Sequence, residues 1–223
     1  MLIAFEGIDG AGKTTTAPLV AARLSDLGYT VTEATKRTFT AKSPFAQEQL
    51  QAVADRLWRV PHDDRLDSLG TLHWIYLNAA FFAGAHHALS EDLGPGEIAV
   101  FDNWINKFVA RITGNGKFKL DDALQTLHLL PQPDMVFVLD VPPATAVTRK
   151  EFSHLERGTL HDGRLDFVGF QSVVRDSLLH MADHFDWTVV APLDRSAAEV
   201  ADEIAQLVHA RLDSRFTEAG DHA

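Results

Sequence analysis

Leu2-Ile3-Ala4-Phe5-Glu6-Gly7-Ile8-Asp9-Gly10-Ala11-Gly12-Lys13-Thr14-Thr15 follows directly on Met1. Gly7, Gly12, Lys13 and Thr14 stand at the G-x-x-x-x-G-K-[ST] spacing of a phosphate-binding loop. Each residue type has a physical task there. Glycines let the chain wrap close to phosphate oxygens. Backbone N–H groups from Gly7 through Thr15, those of Asp9, Gly10 and Ala11 included, then point into the loop. The following helix adds the positive end of its dipole. Lys13 is expected to reach the β- and γ-phosphates, and the Thr14 hydroxyl to ligate Mg²⁺. The flanks agree: residues 2–5 are apolar, as in a buried parallel strand. Leu19, Val20, Leu24 and Leu27 then recur at helical spacing before Gly28, at a C-cap position.

Outward from this unit, strand and helix patterns alternate, which predicts a parallel sheet with helices on both faces. Strands are expected at 30–34, 98–101, 135–139 and 187–190. Helices are expected at 44–58, 66–93, 120–130 and 165–185, with another opened by Pro142-Pro143 and a last one capped by Ser196 and running through Leu212. Residues 150–163 are polar and carry two glycines, which reads as a lid.

The chain has 223 residues, enough for one sizeable core burying about 70–75% of its unfolded surface. One domain is expected over 1–216, with a flexible tail at 217–223. The net charge of −11 argues against nucleic-acid polymers and anionic membranes as partners. It does not argue against a nucleotide, which a local basic pocket can hold. There is no cysteine, so disulfides and thiolate metal sites are excluded. No signal peptide or membrane-length apolar run is read, and a cytoplasmic location is expected. His180 and His184 share a helical face but have no evident third ligand, so no zinc site is expected.

The chain resembles the thymidylate kinase family of P-loop nucleoside monophosphate kinases, from about residue 1 to 212. Four stretches carry the resemblance: residues 5–15 for the phosphate loop, Phe101-Asp102-Asn103-Trp104 in place of the family's Asp-Arg-Tyr, Leu139-Asp140-Val141-Pro142-Pro143 for its fourth-strand signature, and Phe170-x-x-Val173-Val174-Arg175 for its helix after the lid. The resemblance implies a three-layer P-loop kinase fold, with a five-stranded parallel sheet and a lid. It also implies ATP, Mg²⁺, a small-molecule acceptor and a homodimer formed through the helix at 66–93.

The departures fall on the acceptor side. Thr35-Lys36-Arg37 replaces the family's Arg-Glu-Pro, Asn103 its Arg, and Lys107 and Arg111 its Ser and Tyr. Ala80-Phe81-Phe82-Ala83 lies where the family reads the pyrimidine base with an Arg. An Arg fork grips a phosphate bidentately, so its loss weakens a monophosphate acceptor. Two readings stay open. Either the acceptor is not dTMP, with Phe81, Phe82 and Trp104 offering stacking surface, or Lys36, Arg37, Lys107 and Arg111 take over the phosphate.

The resemblance further implies that lid arginines act in catalysis. Arg149, Arg157 and Arg164 are the candidates, with Arg157 and Arg164 preferred because they flank the lid glycines. Asp102, at a strand's carboxyl end, is a candidate for Mg²⁺ or acceptor orientation. Asp9 is implied to touch a sugar hydroxyl. Glu6 becomes a candidate base if the acceptor is a hydroxyl rather than a phosphate. Three functions follow: a nucleoside monophosphate kinase, a kinase of a hydroxyl acceptor, and a nucleotide-binding switch without transfer.

Overall fold

The structure is a computed structural model that describes residues 1–59, 65–114, 116, 118–149, 151–152 and 166–220, side chains at 65–68 and 215–220 excepted. In chain order the elements are β1 (Leu2–Glu6), α1 (Lys13–Asp26), β2 (Val31–Thr35), α2 (Pro44–Trp58), α3 (Arg65–Asp92), β3 (Ile98–Asp102) and α4 (Asn106–Gly114). There follow α5 (Leu120–Thr126), β4 (Met135–Leu139), α6 (Pro143–Ala146), α7 (Phe167–His184), β5 (Thr188–Val190) and α8 (Ala197–Gly220). The five strands form one sheet in the order β2-β3-β1-β4-β5, and every neighbouring pair is parallel. This is the expected α/β architecture.

Burial follows strand position. β1 is central and every residue in it is buried, as its unbroken apolar run requires. β2 and β5, at the edges, are only partly covered. α1 packs on β2, β3 and α8, while α7 packs on β4, β5, α4 and α6. Arg175 of α7 forms a two-pronged ion pair with Asp140 just past β4, with Nε–Oδ1 at 2.5 Å and Nη2–Oδ2 at 2.7 Å. Two of the motif residues quoted above therefore meet each other and pin α7 to the end of the sheet.

The register lines up the carboxyl ends of the inner strands. Phe5 and Thr35 both lie opposite Asp102, and Glu6 opposite Val138. In open parallel sheets the ligand crevice forms at such ends.

Several expectations needed adjustment. The long helix is broken at Gly70, whose φ of 74° and ψ of 159° are not helical. The helix expected over 120–130 ends at Thr126. α4 was not anticipated from the sequence, because its nine residues are short and mix charge with apolar groups. α8 continues as backbone helix to Gly220, past the expected start of the tail. Leu69, Leu72 and Tyr76 of α3 are exposed. Among the described residues no helix is long and apolar enough to cross a membrane.

Candidate active site

Three glycines shape the loop between β1 and α1. Gly7, Gly10 and Gly12 have φ of 145°, 81° and 100°, backbone states that side chains oppose. A Cβ on Gly7 would lie 2.8 Å from the carbonyl oxygen of Leu139, and one on Gly10 3.0 Å from the Phe152 ring. Gly12 caps α1 in the left-handed conformation, so Lys13 is the first helical residue.

Lys13 is buried, and its Nζ donates to the carbonyls of Gly7 at 2.8 Å and Ile8 at 2.9 Å. Burial first, and then repulsion from Lys107, pushes its pKa down to about 7. The Thr14 hydroxyl donates to Asp102 Oδ2 at 2.9 Å, and Asp102 Oδ1 is buried without a partner. The two residues assigned to Mg²⁺ from sequence are thus adjacent. Their hard oxygen donors suit that ion. The glycine-shaped loop with its lysine likewise fits a nucleotide phosphate.

Beside the loop, side chains of α4 and α7 converge on one carboxylate. Asp9 is the hub. Lys107 Nζ donates to Oδ1 at 2.5 Å, Arg111 Nη1 to Oδ2 at 2.8 Å, and Gln171 Nε2 to Oδ2 at 2.9 Å. Burial alone would raise the Asp9 pKa. The charges of Lys107 and Arg111 outweigh burial and hold the carboxyl well below the usual carboxylate range. Lys107 and Arg111 lie four apart and share one face of α4, which is how both reach one carboxylate. Arg111 also sits 5.3 Å from the centre of the Phe170 ring.

Lys36 follows β2, is half-buried, and places its ammonium 5.4 Å from the centre of the Trp58 ring. Its pKa is lowered to about 8, by burial first and then by repulsion from Lys107, with Arg111 adding to it. Arg37, by contrast, is exposed.

Glu6 has no solvent exposure. Its Oε1 accepts the Asn106 backbone N–H at 3.1 Å, and its Oε2 has no partner. Burial raises its pKa to about 7. The expectation of a base meeting a hydroxyl acceptor is corrected here, since the carboxyl has no open face toward one. It lies instead beneath Lys13 and Lys107, whose charges act on it.

The aromatic expectations are corrected too. Phe81 and Phe82 are 0% and 1% exposed. Phe81 packs edge-on to Trp58 at 4.8 Å, and Phe82 packs against Trp104 at 4.8 Å and Phe101 at 6.0 Å. They are core, because Phe81 is enclosed by Trp58 of α2 and Phe39, and Phe82 by the rings at the end of β3. Trp104 is also buried, with its Nε1 unpartnered. Asn103 adopts φ of 74°, a conformation Asn tolerates better than most residues, and its Oδ1 is buried without a partner.

Arg157 and Arg164 lie outside the described residues, as does most of the lid. Arg149, the less favoured candidate, donates to the Gly10 and Ala11 carbonyls at 3.1 and 3.4 Å. Gln171 was missed altogether. Its signal was an amide on the buried stripe of α7, four residues after Phe167 and three before Val174.

A thymidylate kinase of Xanthomonas campestris pv. campestris is 32% identical to this chain over 149 residues, 67% of this chain and 60% of that protein. The chain belongs to the thymidylate kinase family. A probable thymidylate kinase of Sulfolobus acidocaldarius is 25% identical over 216 residues, covering 95% of this chain and 98% of its own length. The crystal structure of thymidylate kinase from Ehrlichia chaffeensis shares the fold, with a TM-score of 0.59 at 22% identity, over 93% of this chain and 98% of that one. No family model matches the chain. The chain spans 60% of the length of the Xanthomonas thymidylate kinases.

Proposed function

We propose that this chain is an ATP- and Mg²⁺-dependent phosphotransferase that phosphorylates a nucleoside monophosphate. The observation that carries the reading is the meeting of two sets of groups at the carboxyl ends of β1, β2 and β3. One is the glycine-shaped loop with Lys13 and the Thr14–Asp102 pair. The other is the cation cluster of Lys36, Lys107 and Arg111. A donor loop alone would suit a switch. A second cation cluster beside it suits a second anion.

Phosphoryl transfer depends mainly on positioning and charge neutralisation. In this reading Lys13 leaves the loop carbonyls for the β- and γ-phosphates. Thr14 and Asp102 would hold Mg²⁺, which would supply charge neutralisation at the phosphates. Lys36, Lys107 and Arg111 hold the acceptor phosphate from positions the family does not use, and Asn103 lines the same end of β3. Arg149, Arg157 and Arg164 remain candidates for charge stabilisation from the lid side. The buried Glu6 speaks against a hydroxyl acceptor, because such an acceptor needs an accessible base.

The proposal extends to a cytoplasmic location, where both substrates are found. It also includes a homodimer through the exposed stripe of Leu72, Tyr76 and Ala80 on α3, to which Leu69 is adjacent. The deciding experiment is ATP consumption across a panel of nucleoside monophosphates, nucleosides and no acceptor. Turnover confined to monophosphates is expected. Turnover with nucleosides but not monophosphates, or none with any acceptor, overturns the reading.

A further inference from the structure

Gln171 has no solvent exposure, on the face of α7 that also buries Phe170 and Val174. An amide buried among apolar side chains is unfavourable unless it is hydrogen-bonded. Two of its bonds go to one residue of the donor loop. Oε1 accepts the Asp9 backbone N–H at 3.2 Å, and Nε2 donates to Asp9 Oδ2 at 2.9 Å.

The first bond holds the peptide between Ile8 and Asp9 by its N–H. The other side of the same peptide, the Ile8 carbonyl, accepts from Lys13 Nζ at 2.9 Å. One peptide plane is therefore held by Gln171 on one edge and by Lys13 on the other. The second bond fixes the carboxylate onto which Lys107 and Arg111 converge. A carboxylate has about four acceptor directions, and these three donors take most of them. Asp9 is thereby a brace for cations.

We propose that Gln171 is a positioning residue that sets the donor lysine and the acceptor-side cations in one register. It does so through Asp9, touching neither substrate. The proposal rests on the phosphotransferase reading. It adds that the helix after the lid, and not the loop alone, decides the placement of Lys13 relative to Lys107 and Arg111.

Two variants test it. Q171M keeps the volume but removes both hydrogen bonds. It should fold, and kcat should fall by about 10- to 100-fold, the factor carried by a hydrogen bond to a charged group. The KM for ATP should change by less than about threefold, because the loop's own N–H groups persist. Q171E separates positioning from packing. When protonated, the new carboxylic acid donates to Asp9 Oδ2 and accepts from the Asp9 N–H, as glutamine does. When ionised, it repels Asp9. The deficit of Q171E relative to wild type should therefore shrink as pH falls from about 9 to about 6, while that of Q171M stays constant.

The proposal is overturned if Q171M keeps wild-type kcat, or if the Q171E and wild-type pH profiles are parallel. Carbon-13 titration of the Asp9 carboxyl gives a readout independent of turnover. Its pKa should rise in Q171M, and an unchanged value would also overturn the proposal. If the wild type transfers phosphate to no acceptor, the phosphotransferase reading fails by itself, and the Asp9 titration still decides whether Gln171 sets that carboxylate.

Discussion

On the proposed reading, the donor and acceptor halves of this site are built on different principles. The donor loop is a backbone structure. Three glycines at positive φ, a helix N-terminus and one lysine define it, and all lie within residues 7–14. The acceptor half is a side-chain structure, in which Lys36 after β2, Lys107 and Arg111 on α4, and Gln171 on α7 converge from far apart in sequence. Local backbone geometry leaves a compact imprint on sequence. A convergence of side chains leaves none that spacing can reveal.

The strongest way to break the comparison is at Lys13. K13A should lower kcat by at least about 10³-fold, the upper scale for removing one charge-stabilising donor. Its circular dichroism spectrum and melting temperature should stay near wild type, because a buried, desolvated ammonium contributes little to folding. Rapid turnover by a folded K13A would remove the donor assignment altogether. The acceptor half is tested at Lys36. K36M should raise the acceptor KM about tenfold, the low end for one hydrogen bond to a charged group, and leave the ATP KM unchanged. If the ATP KM rises instead, Lys36 belongs to the donor half.

Phe81 marks where that half stops. F81A should cost about 3–5 kcal/mol of stability, seen as a melting temperature lower by about 10 °C. The acceptor KM measured below that temperature should not move. A selective rise in acceptor KM, without loss of stability, would restore the stacking role that the sequence suggested.

The smallest effect is in stability against pH. Glu6, raised to about 7 by burial, stays protonated in the folded chain at pH values where the unfolded chain releases the proton. Its contribution to stability is full below about 4.5 and fades as pH rises through about 7. Lys13 works in the other direction. Depressed to about 7, it has released a proton that the unfolded chain keeps up to about 10.5, so stability recovers as pH rises above 7. Together they give a shallow minimum near neutrality. E6Q should abolish the decline on its acid side, and melting curves of both proteins from about pH 5 to about pH 9 check this.

The parallel sheet and the loop were legible because the apolar runs at 2–5 and 135–139 and the loop glycines are local signals. The place of Asp102 at the carboxyl end of a strand, where ligand crevices of such sheets form, was also legible. The aromatic pair misled. Phe81 and Phe82 look the same on paper whether they face a ligand or a core, and only the positions of Trp58, Phe101 and Trp104 decide between the two. Glu6 misled for a related reason. Its neighbour in sequence is the glycine-shaped loop, but the Asn106 N–H it bonds lies 100 residues away and closes it in.

The 2.8 Å that would separate a Cβ at Gly7 from the Leu139 carbonyl has a bearing on how such a chain can change over time. A single substitution there must pry β1 from β4, so the donor loop admits almost no intermediate steps. Lys36, Lys107 and Arg111 hang from elements whose backbones need not move, and each can be exchanged alone. On the proposed reading, a lineage that inherits this scaffold is free to explore new acceptors by side-chain exchange, while its phosphate-donor loop stays fixed by sterics.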